Sequence, residues 1–449
     1  MGCYWVNTES KLEHILNLVD EYITEKHLQK DWIPGKDWVQ YAGPYFTSDE
    51  YVRSIKSLLN EWLVLGDDAI KFENKFSKLF DKKYGILTNS GSSSNLLMML
   101  AMTSKKLYNL PKGTKVITPV AGFPTTLNPI LQAGFEPIFV DVELDTLNLD
   151  LLQVVKAIEK TNARIITFAH VLGNPPNMDK LMDIVDRYNL VFLEDCCDAL
   201  GSKYDDKPLG NFGDMASCSF YPAHHITMGE GGFVATTTPD QERVVRSFRE
   251  WGRDCYCVGQ KANLLKNGTC KTRFSCWLPS LPEHIFDHKY VYGEIGYNLK
   301  PIELQASMGL AQIDKLPRIN SIRRRNYKRY MRIFEKYEEY FHLPRPTEKS
   351  DPSWFAFPLT IRDRIPFTRS DICQFLEDNR IQTRQYFGGS LLLQPAYTHL
   401  MDSKEVIKRF PNARKVTTDT FFLGTSPVLD RDKINYVGKI IDKFMEQYK

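Results

Sequence analysis

Short apolar runs alternate with stretches of helical periodicity from about residue 80 to residue 240, and no other feature restricts the fold of this chain so tightly. Parallel strands cannot be joined by tight hairpins; each crossover needs a dozen or more residues, which a helix supplies. The pattern therefore predicts an α/β protein with a mostly parallel central sheet. Strands are expected at Tyr84–Leu87, Lys115–Pro119, Pro137–Val142, Arg164–Ala169, Leu190–Glu194, Ser217–Tyr221 and Gly232–Thr236. Helices are expected between them, among them Asn95–Met102 and Met178–Tyr188. The second is amphipathic and starts after Asn174-Pro175-Pro176-Asn177.

Beyond Pro301 the chain changes character. Charged helical runs are expected over Glu303–Ile313 and Ile322–Tyr340, ending near Pro344 and Pro346. A strand at Phe355–Ile361 and helices at Arg369–Asn379 and Arg431–Gln447 then make a smaller α+β C-terminal domain. The organisation expected is an N-terminal segment 1–50, a large domain 51–325 and a small domain 326–449. At 449 residues the chain exceeds the ~250–300 at which a single core stops growing, which agrees with two unequal domains.

A hydrophobic content of 43%, a charged content of 25% and a formal net charge of +3 exclude a disordered chain and a polycation. The basic run from Arg318 to Arg332 spreads its charge around a helix, so it reads as a solvated connecting helix and no nucleic-acid partner is expected. No apolar run reaches the ~18 residues of a membrane span, and Met1–Ser10 lacks the pattern of a signal peptide. A cytoplasmic protein without membrane insertion is expected.

Two strand ends carry candidate binding groups. After Tyr84–Leu87 comes Thr88-Asn89-Ser90-Gly91-Ser92-Ser93-Ser94-Asn95, where a glycine admits close approach and hydroxyls with free helix-start amides suit a phosphate. The other reading of this segment is a Ser-rich capped turn, and the absence of a P-loop lysine argues against a nucleoside triphosphate. Leu190–Asp195 ends in Glu194 and Asp195, at the edge of a doubly wound sheet where ligands bind. A buried Asp195 there can pair with a pyridinium nitrogen, or it can cap the turn that follows.

The segment Ser219-Phe220-Tyr221-Pro222-Ala223-His224-His225-Ile226-Thr227-Met228-Gly229-Glu230-Gly231-Gly232, taken with the Gly91 turn, Glu194-Asp195 and Gly296-Tyr297-Asn298-Leu299-Lys300, resembles the sugar aminotransferase and dehydrase family. These are enzymes of the pyridoxal-phosphate-dependent transferase fold type I that act on nucleotide-linked ketosugars. The resemblance implies that His224 occupies the position of the lysine to which relatives link their cofactor. Histidine cannot make that link but can move a proton near neutral pH. It further implies noncovalent pyridoxamine 5'-phosphate, with Ser92, Ser93 and Ser219 at its phosphate, Asn298 reaching it from the second subunit of a homodimer, Phe123 against the ring and Asp195 at the ring nitrogen. Arg384 and Tyr386, in Gln382–Phe387, are candidate substrate contacts from the small domain.

Six of the nine cysteines fall between Cys196 and Cys270. Cys255-Tyr256-Cys257 places two thiols on one side of an extended segment, and Cys270 follows in a loop with Asn267 and Gly268. Together with Cys197, these spacings suit a 2Fe-2S cluster or zinc alike. The set of Cys197, Cys255, Cys257 and Cys270, in a chain with histidine for lysine, is similar to the iron-sulfur dehydrases of the family that act on CDP-4-keto-6-deoxyglucose. Cys276 competes with Cys270 for the fourth ligand. Cys196 reads as an inward-packed neighbour, and Cys3, Cys218 and Cys373 as small core residues.

The resemblance implies a dehydrase that removes the 3-hydroxyl of a CDP-linked 4-keto-6-deoxyhexose, fed with electrons by an NADH-dependent flavin and iron-sulfur reductase, in 3,6-dideoxysugar synthesis for surface polysaccharide. Two alternatives stand beside it. One is a cluster-free GDP-sugar 3-dehydrase that takes its amine from glutamate; the other is a noncatalytic, zinc-stabilised sugar-nucleotide-binding scaffold.

Overall fold

The computed structural model describes residues 8–28, 31–257 and 264–448. Seven strands form the large sheet: β1 (Tyr84–Thr88), β2 (Lys115–Pro119), β3 (Glu136–Val140), β4 (Ile165–Ala169), β5 (Val191–Asp195), β6 (Met215–Ser219) and β7 (Gly232–Thr236). Their order is β1-β7-β6-β5-β4-β2-β3. Six strands run in one direction, and β7 runs antiparallel to both of its neighbours. Parallel strands covered by helices are apolar on both faces, and successive residues here divide between two cores. Ile86, Val116, Ile165, Leu193, Met215 and Val234 enter one, while Leu87, Ile117, Ile166, Phe192, Ala216 and Phe233 enter the other.

The two helical runs expected after Pro301 are one helix, Glu303–Phe334, with Pro317 inside it. Its first half buries Ala306, Leu310, Ile313 and Ile319 in a large-sheet core. Its second half buries Tyr330, Met331 and Phe334 among Phe357, Leu359, Phe421 and Leu423. Burial at both ends outweighs the one hydrogen bond that proline removes. The helix is not solvated all round as its charge suggested: Arg323 is 1% exposed. An antiparallel sheet of Phe341–His342, Ala356–Ile361, Thr420–Gly424 and Arg384–Gln385, in that order, completes the C-terminal part.

An ion-pair group fixes the edge from which the phosphate-type turn departs. Glu73 accepts from Leu87 N (2.9 Å), from Arg249 (3.0 Å) and from Arg246 (3.2 Å), and Arg249 also donates to the Leu87 carbonyl at 2.8 Å. Helix Asp67–Phe76, β1 and helix Pro239–Arg249 are thereby tied together. None of the described helices is long and apolar enough to cross a membrane.

Candidate active site

Because β1, β2, β4, β5 and β6 run the same way, their carboxyl ends meet at one edge of the sheet, the usual place for ligands in such folds. A cavity of about 680 Å³ lies there, within the range of cofactor and ligand sites. Ser90, Gly91 and Ser92 follow β1, Phe123 follows β2, and Asp195 and Ser219 end β5 and β6; all line the cavity with His224.

Ser90 caps helix Gly91–Ala101, its Oγ accepting from Ser93 N at 3.1 Å. The turn admits no side chain at Gly91, where a Cβ would lie 2.4 Å from Ser219 Cβ and 3.1 Å from Cys197 Sγ. At Gly232 a Cβ would lie 2.2 Å from the Ser90 carbonyl oxygen. Two glycines thus let the turn close down on the β6 end and leave Ser92 and Ser219 facing the cavity. Ser93 turns away from that opening: its Oγ donates to Asn89 Oδ1 at 2.6 Å.

Asp195 is 4% exposed. Its Oδ2 accepts from Asn95 Nδ2 (2.8 Å) and Thr126 Oγ1 (2.9 Å), and its Oδ1 from Cys197 N (3.1 Å). A carboxylate has about four acceptor positions, so one remains for a donor in the cavity. Neighbouring Glu194 serves the fold instead, accepting from Gly210 N at 2.8 Å and Gly213 N at 2.5 Å, with His170 Nε2 at 3.0 Å. His170, Glu194 and Cys196 are the only described trio whose potential ligand atoms lie within 4.8 Å of one another. Glu194 already serves three partners of the fold, so the grouping has a structural explanation.

His224 sits in a clamped loop. Arg323 donates to the backbone carbonyls of His224 (3.1 Å) and Ala223 (3.3 Å) and to that of Phe355 (2.9 Å), joining the loop to the small domain. His225 points inward, its Nε2 on the Ser353 carbonyl at 2.7 Å, whereas His224 faces the cavity with Nδ1 3.5 Å from Asp198 Oδ1. Burial pulls the His224 imidazole down to about 4, with Asp195 opposing the shift and Arg323 reinforcing it. Burial raises the Asp198 carboxyl to about 8; Asp195 adds to that and Arg323 opposes it. At neutral pH the imidazole is an unprotonated base.

Arg384 also lines the cavity. Tyr386 does not: it is 1% exposed, its hydroxyl directed to the Leu147 carbonyl at 3.4 Å. Asn298 is exposed outside this cavity, in the stretch bridged to Glu250. Tyr41, Thr126, Asp198 and Phe355 belong to the site or its support and went unread in the sequence. Only Asp198, three residues after Asp195 at the same strand end, carried a local signal.

The thiols fall into two places. An ideal Cβ on Gly268 would be 3.1 Å from Cys257 Sγ and 3.6 Å from Cys270 Sγ, so the two sulfurs flank that glycine. Burial would raise Cys257, but hydrogen bonding with Thr269 Oγ1 (3.2 Å) and from Thr269 N (3.4 Å) holds it below the ordinary thiol value. Cys255 and Cys257 line a second cavity of about 210 Å³. Cys197 lines the cofactor-type cavity instead. Cys276 is exposed, Cys196 and Cys218 are buried and Cys373 is partly buried; Cys3 lies outside the described residues.

Six parallel strands and one antiparallel strand, with a buried aspartate and a phosphate-type turn at their ends, define a fold type I protein, the architecture of pyridoxal-phosphate-dependent aminotransferases. The chain belongs to the DegT/DnrJ/EryC1/StrS aminotransferase family, whose pattern matches residues 46–442. It is 39% identical over 434 residues to the lipopolysaccharide biosynthesis protein RfbH of Salmonella typhimurium, covering 96% of this chain and 97% of that one. It is 38% identical over 435 residues to a dTDP-4-dehydro-2,6-dideoxy-D-glucose 3-dehydratase of Saccharopolyspora spinosa, covering 96% and 92%. Among solved structures, the E. coli GDP-4-keto-6-deoxy-D-mannose-3-dehydratase with bound hydrated PLP superposes with a TM-score of 0.76 at 26% identity, covering 90% of this chain and 99% of that one.

Proposed function

We propose that this chain is a nucleotide-sugar 3-dehydratase that holds pyridoxamine 5'-phosphate without a covalent bond and removes the 3-hydroxyl of a nucleotide-linked 4-keto-6-deoxyhexose. One observation carries the reading: a buried carboxylate, a glycine-shaped phosphate cradle and a neutral imidazole converge on one cavity, and no lysine lines it among the described residues. The site fits the cofactor on the same grounds. The relatives named as 3-dehydratases support the substrate class.

When bound, the cofactor supplies an amine for the sugar's 4-keto group and an electron sink that weakens the neighbouring carbon–oxygen bond. Asp195 would accept from the ring nitrogen on its remaining acceptor position. Ser92 and Ser219 would hold the phosphate, with Ser93 supporting the turn and Asn298 contributed by a second copy. Phe123, which lines the cavity, would lie against the ring. His224 accepts the proton that must leave the cofactor's methylene carbon, and the Arg323 clamp keeps its loop from yielding.

Within this class we assign a CDP-linked substrate, a 2Fe-2S cluster and an NADH-dependent reductase. Cys255, Cys257 and Cys270 would hold the metal, and Cys197 completes the sequence pattern; the pair Cys257 and Cys270 beside Gly268, with Cys255 lining the same cavity as Cys257, supports a soft metal there. A cluster-free enzyme that takes its amine from glutamate is favoured by a different observation, the seating of Cys197 in the cofactor cavity with Gly91 and Ser219. Anaerobic purification with quantification of iron, sulfide, zinc and pyridoxamine phosphate separates the two. Incubation with CDP-, GDP- and dTDP-linked 4-keto-6-deoxyhexoses, supplied in parallel with NADH and a flavin and iron-sulfur reductase or with glutamate, and analysed by mass spectrometry, should show loss of the 3-oxygen from at least one. A protein that binds the cofactor but leaves all three sugars intact would refute the dehydratase reading.

A further inference from the structure

The cofactor cavity has a strongly uneven charge lining. Three carboxylates face it, from Asp195, Asp198 and Glu230, and Arg384 is the one lysine or arginine that lines it among the described residues. The phosphate cradle and Asp195 line the cavity together with Arg384, Gln385, Tyr41 and Phe422. A ligand that brings further negative charge past the cofactor phosphate finds its one lining cation from this chain at Arg384.

The guanidinium is held in place. It lies 4.3 Å from the centre of the Tyr41 ring, a cation–π distance. One of its donors is spent on the Thr383 carbonyl at 2.7 Å, which leaves others free. Tyr41 is itself fixed: Val39 N donates to the Arg380 carbonyl at 2.8 Å and Gln382 N to the Val39 carbonyl at 3.0 Å, and Tyr41 N donates to Gln382 Oε1 at 3.3 Å. The segment runs directly over Gly424, where a Cβ would come within 1.6 Å of the Tyr41 carbonyl oxygen. Tyr41 precedes residue 46, where the family pattern begins, so this part of the lining comes from the N-terminal segment.

We propose that Arg384 is the contact for the diphosphate of a nucleoside diphosphate-linked sugar, and that Tyr41 is the positioning residue that presents its guanidinium. The assignment deepens the dehydratase reading and rests on it. Arginine suits the role because its planar fork pairs with two phosphate oxygens at once. The competing explanation is that the stack only fastens the N-terminal segment to the small domain.

Calorimetric titration of the full-length protein, loaded with pyridoxamine phosphate, with CDP, GDP and dTDP and with the matching nucleosides tests this directly. Arg384→Gln should weaken the diphosphate that the wild type binds best by about tenfold or more, flatten the salt dependence of binding, and leave cofactor affinity and thermal midpoint near wild type. Arg384→Lys should recover part of the loss. Tyr41→Phe should behave as wild type, and Tyr41→Leu should lose diphosphate affinity. Unchanged diphosphate affinity in Arg384→Gln overturns the proposal, as does a loss that scales with lowered thermal stability and cofactor binding. A wild-type protein that binds none of the three diphosphates removes the parent reading and this inference together. Failure of the arginine variant alone, with wild-type binding intact, removes only the inference.

Discussion

Replacing Asp195 by asparagine perturbs the site with almost no change in volume, and the size of the effect follows from its partners. Three donors converge on the carboxylate: Asn95 Nδ2 and Thr126 Oγ1 on one oxygen and Cys197 N on the other. In Asp195→Asn one oxygen becomes an NH₂ group. If it replaces Oδ2 it opposes the Asn95 amide, and if it replaces Oδ1 it opposes the Cys197 N–H. Either way one hydrogen bond worth about 1 kcal/mol is lost from the folded protein. The cofactor loses more, because a charge-assisted contact to its ring nitrogen contributes about 1.5–3 kcal/mol. Affinity for pyridoxamine phosphate should fall about 10- to 100-fold, with the thermal midpoint only slightly lower. The assay is a titration of cofactor-free protein followed by the change in cofactor absorbance, with circular dichroism to verify the fold. Thr126→Val, which removes one of the three donors, should cost a smaller fraction. A folded Asp195→Asn variant that binds the cofactor within twofold of wild type would show that the carboxylate does not meet the ring nitrogen.

Acid stability follows from the two histidines. Burial holds His224 at about 4 and His225 well below its ordinary value, so below the unfolded value of about 6.5 the unfolded chain binds more protons than the folded one. These two histidines therefore take stability away as pH falls from about 6.5 towards 4, by at most ~1.4 kcal/mol per pH unit each, while Asp198, raised to about 8, is protonated in the fold but ionised in the unfolded chain and returns up to the same amount over that range; thermal midpoints from pH 7.5 to 4.5 should fall by about the share of one histidine, and less in His225→Gln. Glu73→Ala removes the carboxylate shared by buried Arg246 and Arg249, but each keeps a second one, Glu242 and Glu250, so the expected cost is about 1.5–3 kcal/mol in denaturant unfolding; a loss below 1 kcal/mol would contradict the ion-pair account. Cys257→Ser should lower bound iron after anaerobic reconstitution more than Cys276→Ser does, and equal iron in the two variants would exclude Cys257 as a ligand.

The sheet was legible because its signal is local. Lys115–Pro119 and Gly232–Thr236 match the expected strands residue for residue, and helix Met178–Tyr188 matches its amphipathic pattern. The strand expected at Ser217–Tyr221 lies two residues earlier, at Met215–Ser219. There the register with β5 is fixed by pairs such as Asp195 with Ser217, and Thr227 Oγ1 turns the following loop back on the Phe220 carbonyl at 2.7 Å. The single helix across Pro317 was not legible, because what sustains it is burial in two separate cores. Asp195 was legible as a carboxylate at a strand end, whereas His224 stood out only through the resemblance that sets it at the position of the relatives' lysine; both line the cavity. Tyr41 and Thr126 were not legible, since both reach the site through contacts remote in the chain. Arg384 and Tyr386 looked equivalent as neighbours in one segment. The strand stops at Gln385 and Phe387 turns the chain with φ 42°, which leaves Arg384 at the cavity and sends Tyr386 into the core.

The account turns on His224 as a base beside a detachable cofactor, and exchange of the pyridoxamine phosphate methylene hydrogens with deuterated solvent measures that step alone. Wild-type protein incubated with pyridoxamine phosphate and a nucleotide-linked 4-keto-6-deoxyhexose should incorporate deuterium at that carbon, while His224→Asn should bind the cofactor equally well and incorporate none. Undiminished exchange in His224→Asn would contradict the central claim.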